Sequence, residues 1–102
     1  MRSDVDTPKQ RLDKWLWQAR FFKSRALATD EIEGAGVRIN AVKTRKPGHV
    51  LRAGDVLTFR QAQTIRVIRV LALGVRRGPA TEAQELYVDL DTSPSKDGEA
   101  LE

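Results

Sequence analysis

Between residues 11 and 20 the apolar positions recur with helical spacing. Leu12, Trp15, Leu16 and Ala19 fall at i, i+3, i+4 and i+7, which lays them along one face. The spacing predicts a first helix over residues 11–20, with Phe22 close to the same face. Ser24 then offers a hydroxyl that can accept an unpartnered backbone N–H at the start of a second helix. That helix is expected to run through Ile32 or Glu33, with Leu27, Ala28 and Ile32 inward and Gly34 as its C-cap.

From Val37 the period shortens to two. Val37, Arg38 and Ile39 alternate as a half-buried strand does. Asn40-Ala41 is a turn candidate. Residues 43–48 (Lys-Thr-Arg-Lys-Pro-Gly) read as a basic loop, and Ala53-Gly54-Asp55 as a further turn. Residues 56–59 and 64–71 read as a hairpin joined through Gln61-Ala62-Gln63. In its second strand Ile65, Val67 and Val70 are expected on one side and Arg66 on the other. A bulge is expected near Ile68-Arg69, where the alternation falters. Residues 76–79 break the strand, and Pro79 suits the first turn of a short helix over residues 80–87.

The elements describe one small α+β domain, with two N-terminal helices packed on a small, mostly antiparallel sheet and a short C-terminal helix. Residues 1–10 read as a flexible arm. Residues 11–60 carry the helices and the first strands, and residues 61–90 add a strand and the short helix to the same domain. Residues 91–102 read as a disordered acidic tail.

Charge sharpens the picture. The formal net charge is +4, but residues 1–88 carry +8 and residues 89–102 carry −4. A basic body favours a polyanionic partner. Arg11, Lys14, Arg20, Lys23 and Arg25 lie within fifteen residues, interrupted by a single acid, Asp13. Lys43, Arg45 and Lys46 form a second cluster. A merely solvated helix face would interleave Glu with Lys, so these clusters point to the phosphate backbone of a nucleic acid. Backbone N–H groups where the second helix begins, at Ser24, could hold a further phosphate. Asp13 has the favourable sign for a helix start, and it can pair with Arg20 or Arg25. Asp30, Glu31 and Glu33 gather at the far end of the second helix, against the helix-dipole preference. Trp17 falls opposite Trp15 and has two readings: packing under the C-terminal part of the chain, or a platform for a splayed RNA base.

Other classes find little support. There is one histidine, His49, and no cysteine, so nucleophilic triads, disulfides and thiolate–metal sites are not indicated. The acids are scattered or sit in the tail, so no metal is expected. The glycines form neither a P-loop nor a dinucleotide fingerprint. No catalysis, cofactor or small-molecule substrate is therefore expected. No apolar run approaches the ~20 residues that span a bilayer, and residues 1–7 lack a signal-like apolar stretch. The expectation is a cytoplasmic monomer with RNA as its partner and no membrane contact.

The motifs resemble the RNA-binding domain first seen in the fourth protein of the small ribosomal subunit, the alpha-L motif. The likeness covers residues 11–60 and rests on Arg11-Leu12-Asp13, Arg20, Ser24-Arg25-Ala26, Ile32-Glu33-Gly34, Val37, Asn40, Lys46-Pro47 and Gly54-Asp55. It implies that Arg11, Lys14, Arg20, Lys23, Ser24, Arg25, Lys43, Arg45 and Lys46 lie on or near the RNA-facing surface. Residues 11–17, Arg20-Phe21, Arg25-Ala26-Leu27-Ala28, residues 77–83 and Leu86-Tyr87 are similar to the ribosome-associated heat shock protein fifteen family. That resemblance implies binding to ribosomal RNA of free large subunits that still hold a nascent chain on tRNA. The implied role is recycling or rescue under stress. Two departures stand out. Ala41 replaces the glycine usual after the turn Asn, so the hairpin is expected to differ there. The family's basic C-terminal extension gives way to acidic residues. Rival readings are a ribosome assembly or quality-control factor, a fragment related to RNA-modifying enzymes, and an adaptor using Trp17 and Phe21 as an apolar patch.

Overall fold

The computed structural model describes residues 9–74 and 76–94. Its first element is a two-residue strand, β1 (Gln10–Arg11), which pairs antiparallel with β4 (Val50–Leu51). Gln10 thus belongs to a strand where the sequence suggests a flexible arm. Residues 1–8 of that arm lie outside the described residues.

Helix α1 (Leu12–Gln18) has no side-chain cap. Its first N–H groups are met from elsewhere in the chain: Leu12 N donates to His49 O at 2.8 Å and Asp13 N to Pro47 O at 3.0 Å. The loop before β4 therefore caps the helix. At the other end Arg20 takes φ +66°. Arg20 N donates to Trp17 O and Phe21 N to Leu16 O, both at 3.0 Å, closing a Schellman motif with arginine where glycine is usual. The helix thus stops before residues 19 and 20, which the periodicity includes.

Helix α2 (Arg25–Gly34) begins at Ser24, whose Oγ accepts the Leu27 N–H at 3.1 Å. Ala28 and Ile32 are fully buried, but Leu27 is 48% exposed, against the inward placement expected of it. Gly34 is the last helical residue, and Ala35 is the C-cap. The left-handed residue is Gly36, at φ +87°.

A five-stranded antiparallel sheet follows, in the order β3 (Val42–Thr44), β2 (Val37–Ile39), β5 (Val56–Gln61), β6 (Thr64–Val70), β7 (Tyr87–Pro94). Lys43 and Thr44 are strand residues rather than loop. The β2–β3 turn keeps positive φ at both Asn40 (+53°) and Ala41 (+75°), so the expected change in the hairpin does not occur. Asn40 offsets the strain on Ala41. Its Oδ1 accepts the Val56 N–H at 3.0 Å and its Nδ2 donates to Asp55 Oδ1 at 3.1 Å, tying the turn to β5.

In β6 the buried residues are Ile68 and Val70, so Arg66 shares the core face, opposite Ile65 and Val67; Val70, expected beside those two, lies with Arg66 instead. Arg66 is accommodated because its guanidinium lies 5.1 Å over the Phe21 ring and bonds Gln61 Oε1 and Asp89 Oδ2. The register shift falls between Val67 and Ile68, and the extra residue is Leu90 on β7. Helix α3 (Ala80–Ala83) is shorter than expected and passes into a 3₁₀ turn (Gln84–Leu86). β7 then continues to Pro94, so residues 91–94 pair with β6 where a disordered tail is expected. Residues 95–102 of that tail lie outside the described residues.

α1 and α2 cover one face of the sheet. Trp15, Leu16, Ile32, Leu57 and Ile68 form the dry centre, and Phe21 meets Phe59 and Tyr87 at 5.0 and 4.6 Å between ring centroids. Trp15 Nε1 donates to Ala72 O at 2.9 Å, anchoring the segment after β6 across α1.

Candidate nucleic-acid interface

One buried carboxylate organises the basic cluster. Asp13 is 3% exposed. Its Oδ1 and Oδ2 accept Arg11 Nε and Nη2, each at 3.1 Å, and Thr29 Oγ1 donates to Oδ2 at 3.3 Å. Arg25 Nη2 stands 3.5 Å from Oδ1. Both arginines remain about half exposed while the acid is buried between them. Two cations from the starts of α1 and α2 are therefore held in fixed positions with donor edges left for a partner. Burial pushes the Asp13 carboxyl up, but the Arg11 hydrogen bond, the charges of Arg25 and Arg11 and the Lys14 backbone N–H outweigh it. Asp13 consequently titrates below the usual 3.8. The same hydrogen bond and charge raise Arg11.

The loop of residues 45–49 docks beside this pair through the carbonyls that cap α1. Lys46 N donates to Thr44 Oγ1 at 3.1 Å and His49 N to Lys46 O at 3.0 Å. The Arg11 guanidinium lies against the loop at Gly48, where a Cβ would meet Arg11 Cζ at an ordinary 3.5 Å. Arg45 and Lys46 are exposed on this loop. The structure thus brings Arg11, Arg25, Arg45 and Lys46 to one region. Lys14 is half-buried on α1, and Ser24 acts as the cap that fixes Arg25 at its helix start.

Arg20 and Lys23 belong to the other end of α1. Asp13 does not reach Arg20, whose Nε donates instead to Gly78 O at 2.7 Å. Lys23 is exposed in the link before α2. Arg77 joins this end: its Nε donates to Trp17 O at 3.0 Å and its guanidinium sits 5.7 Å over the Trp17 ring. Sequence reasoning missed Arg77, because Arg76-Arg77-Gly78-Pro79 reads as a strand breaker. Two adjacent arginines were the available signal. The C-terminal segment covers one face of Trp17, as the packing reading has it, so stacking on that face would have to displace Arg77. Phe21 is only 5% exposed and contributes nothing to an apolar surface patch.

Lys43 is set apart. Its side chain lies along Gly36, beside Arg38 on the sheet face away from the helices. Among the described residues no three His, Cys, Asp or Glu side chains converge as a metal site would need. No helix among them is long and apolar enough to cross a membrane.

Comparison with known proteins places the chain among described relatives. The S4 domain model matches residues 10–57. The chain is 44% identical over 96 residues to a heat shock protein 15 homolog of Aeromonas salmonicida, covering 94% of this chain and 72% of that protein. It is 44% identical over 86 residues to heat shock protein 15 of Escherichia coli, of which it spans 64%. It is 31% identical over 88 residues to an RQC P-site tRNA stabilizing factor of Listeria innocua, covering 84% of this chain and 95% of that one. Among solved structures, the trimeric heat shock protein 15 of Vibrio cholerae superimposes with a TM-score of 0.73 at 35% identity, over 92% of this chain and 87% of that chain. These similarities lead to one assignment: the chain belongs to the heat shock protein 15 family and is built on an S4-type RNA-binding domain.

Proposed function

We propose that the chain binds ribosomal RNA of free large subunits that carry a stalled nascent chain on tRNA, and that it acts without catalysis in their recycling or rescue in the cytoplasm. The observation that carries this reading is the Arg11–Asp13–Arg25 constellation beside the capping loop. It presents cations on rigid elements at low entropic cost, as phosphate recognition requires. Arg11, Lys14, Arg25, Arg45 and Lys46 form the proposed centre of the interface, with Arg20, Lys23 and Arg77 extending it past the end of α1. The similarity to a P-site tRNA stabilizing factor supports a site near tRNA on the large subunit. One copy of the chain is the proposed binding unit. A trimer in solution, the assembly of the Vibrio relative, would contradict that last point.

Cosedimentation tests the proposal. The protein is mixed with free large subunits, with subunits holding peptidyl-tRNA, and with small subunits. Enrichment on large subunits holding peptidyl-tRNA supports it. Equal association with small subunits would reduce the reading to general RNA binding.

A further inference from the structure

The face of the sheet opposite the helices carries a second set of cations. Residues alternate along each strand, so Arg38, Lys43, Arg60 and Arg69 all point away from the core. Register places Lys43 directly across from Arg38, and Arg38 across from Thr58. Thr58 in turn faces Val67, and Arg69 stands between Val56 and Val88. These cations therefore spread over roughly three strand spacings, about 14 Å. A like-charged pair directly across two strands destabilises a sheet. Among the described residues, no carboxylate stands within ion-pair distance of Arg38, Lys43 or Arg69; Arg60 alone has one, Glu31 at 3.4 Å. Fold stability gives no reason to set Arg38 against Lys43.

Between them lies a shallow cavity of about 210 Å³, with Arg38, Lys43 and Arg60 at its walls and Thr58 and Ile65 beneath. Gly36, at φ +87°, leaves room for the Lys43 stem: a Cβ there would come 2.6 Å from Lys43 Cε. Among the described residues no exposed aromatic ring stands on this face for a base to stack on; Phe59 is 2% exposed and points inward. The partly buried Ile65 and Val67 lie between longer cations, whereas a membrane-binding face would raise its apolar side chains above them. Discrete cations at the walls of an open hollow with a largely apolar floor fit the phosphates of a nucleic-acid backbone, which the cations rather than the floor would contact.

We propose that the outer face of the sheet, through Arg38, Lys43, Arg60 and Arg69, is a second RNA-backbone site, so that the domain contacts RNA from two opposite sides. The proposal rests on the RNA-binding reading above but concerns different side chains, and the helix-face cluster does not require it.

The test uses the full chain and an rRNA fragment from the large subunit, titrated over a series of salt concentrations. Three proteins are compared: unmodified, R38E/R69E and R11E/R25E, with R38Q/R69Q as a milder control and thermal melting as the check on folding. R38E/R69E is expected to flatten the slope of log affinity against log salt by about 1.5–3, as for two or three phosphates. R38Q/R69Q should flatten it less, and R11E/R25E should reduce it independently. A folded R38E/R69E or R38Q/R69Q protein with the unmodified slope overturns the second site and leaves the helix-face reading standing. No RNA binding by the unmodified protein overturns both. If R38E/R69E loses only binding to polyglutamate and keeps its RNA slope, the face belongs to an acidic protein partner and the proposal is wrong.

Discussion

Replacing Asp13 by Asn keeps the shape of the side chain and removes its charge. The carboxylate accepts three side-chain hydrogen bonds and stands 3.5 Å from a further side-chain donor, yet is 3% exposed. An amide offers one acceptor oxygen; its NH₂ would turn donors toward a guanidinium that also only donates. One charge-assisted hydrogen bond is lost outright, worth roughly 1.5–3 kcal/mol. Because both arginines are about half exposed and rehydrate easily, the lost Coulomb attraction adds little beyond about 0.5 kcal/mol. Relief of carboxylate desolvation works in the opposite direction. The net expected loss is about 1–3 kcal/mol, or a fall in Tm of roughly 5–15 °C for a domain of this size. The effect also has a pH signature. At pH 7 Asp13 is ionised in both the folded and unfolded chain, and its contribution is fully present. As pH falls below the unfolded value near 3.8, the unfolded chain takes up the proton first and the advantage over Asn erodes. It is gone once pH passes the depressed folded value. Urea unfolding of both proteins from pH 7 downward measures this difference. Equal stability at pH 7, or a difference unchanged well below pH 3, would refute the role given to Asp13.

Other consequences can be checked in the same way. Ala41→Gly should raise stability by about 0.5–1 kcal/mol, because relief of left-handed strain exceeds the added unfolded-state entropy; a lower Tm would contradict the turn geometry. Trp17→Ala should cost stability through lost packing and loss of the Arg77 contact while RNA affinity changes less than about threefold; a loss of about 1–3 kcal/mol in binding would restore the stacking reading. Lys46→Glu combined with Arg45→Glu should weaken RNA binding and leave the thermal midpoint within about 2 °C, since both side chains are exposed and carry no ion pair among the described residues. Unchanged affinity at low salt would remove the loop from the interface.

Much of the fold was legible because its signals are local. The i, i+3, i+4 spacing around Trp15 and the cap at Ser24 locate both helices, and alternation at residues 37–39 gives the first long-sheet strand. Signals that fail depend on distant partners. Nothing in the sequence near Gln10 indicates that it pairs with Leu51, or that Pro47 and His49 supply the acceptors that begin α1. The alternation separates Arg66 from Ile65 and Val67 but does not reveal that Arg66 sits on the core face, where Phe21, Gln61 and Asp89 together receive it. Leu27 is read as inward by hydrophobicity, but the described residues leave it 48% exposed on α2. At the site, clustering along the chain finds Arg11 and Arg25. It does not find Arg77, which reaches Trp17 from 60 residues away. Lys43 stands next to Arg45 and Lys46 in sequence, yet its side chain lies along Gly36 beside Arg38 on the sheet, which clustering along the chain does not reveal.

The central claim is that the cluster on α1 and α2 captures RNA by neutralising phosphates, and salt titration tests it most directly. About five phosphates on this cluster require log affinity to fall with log salt at a slope of −3.5 or steeper. Arg25→Glu should flatten that slope by one unit or more while the protein keeps its cooperative melt. A slope shallower than about −1 in the unmodified protein, or an unchanged slope in Arg25→Glu, would contradict the account.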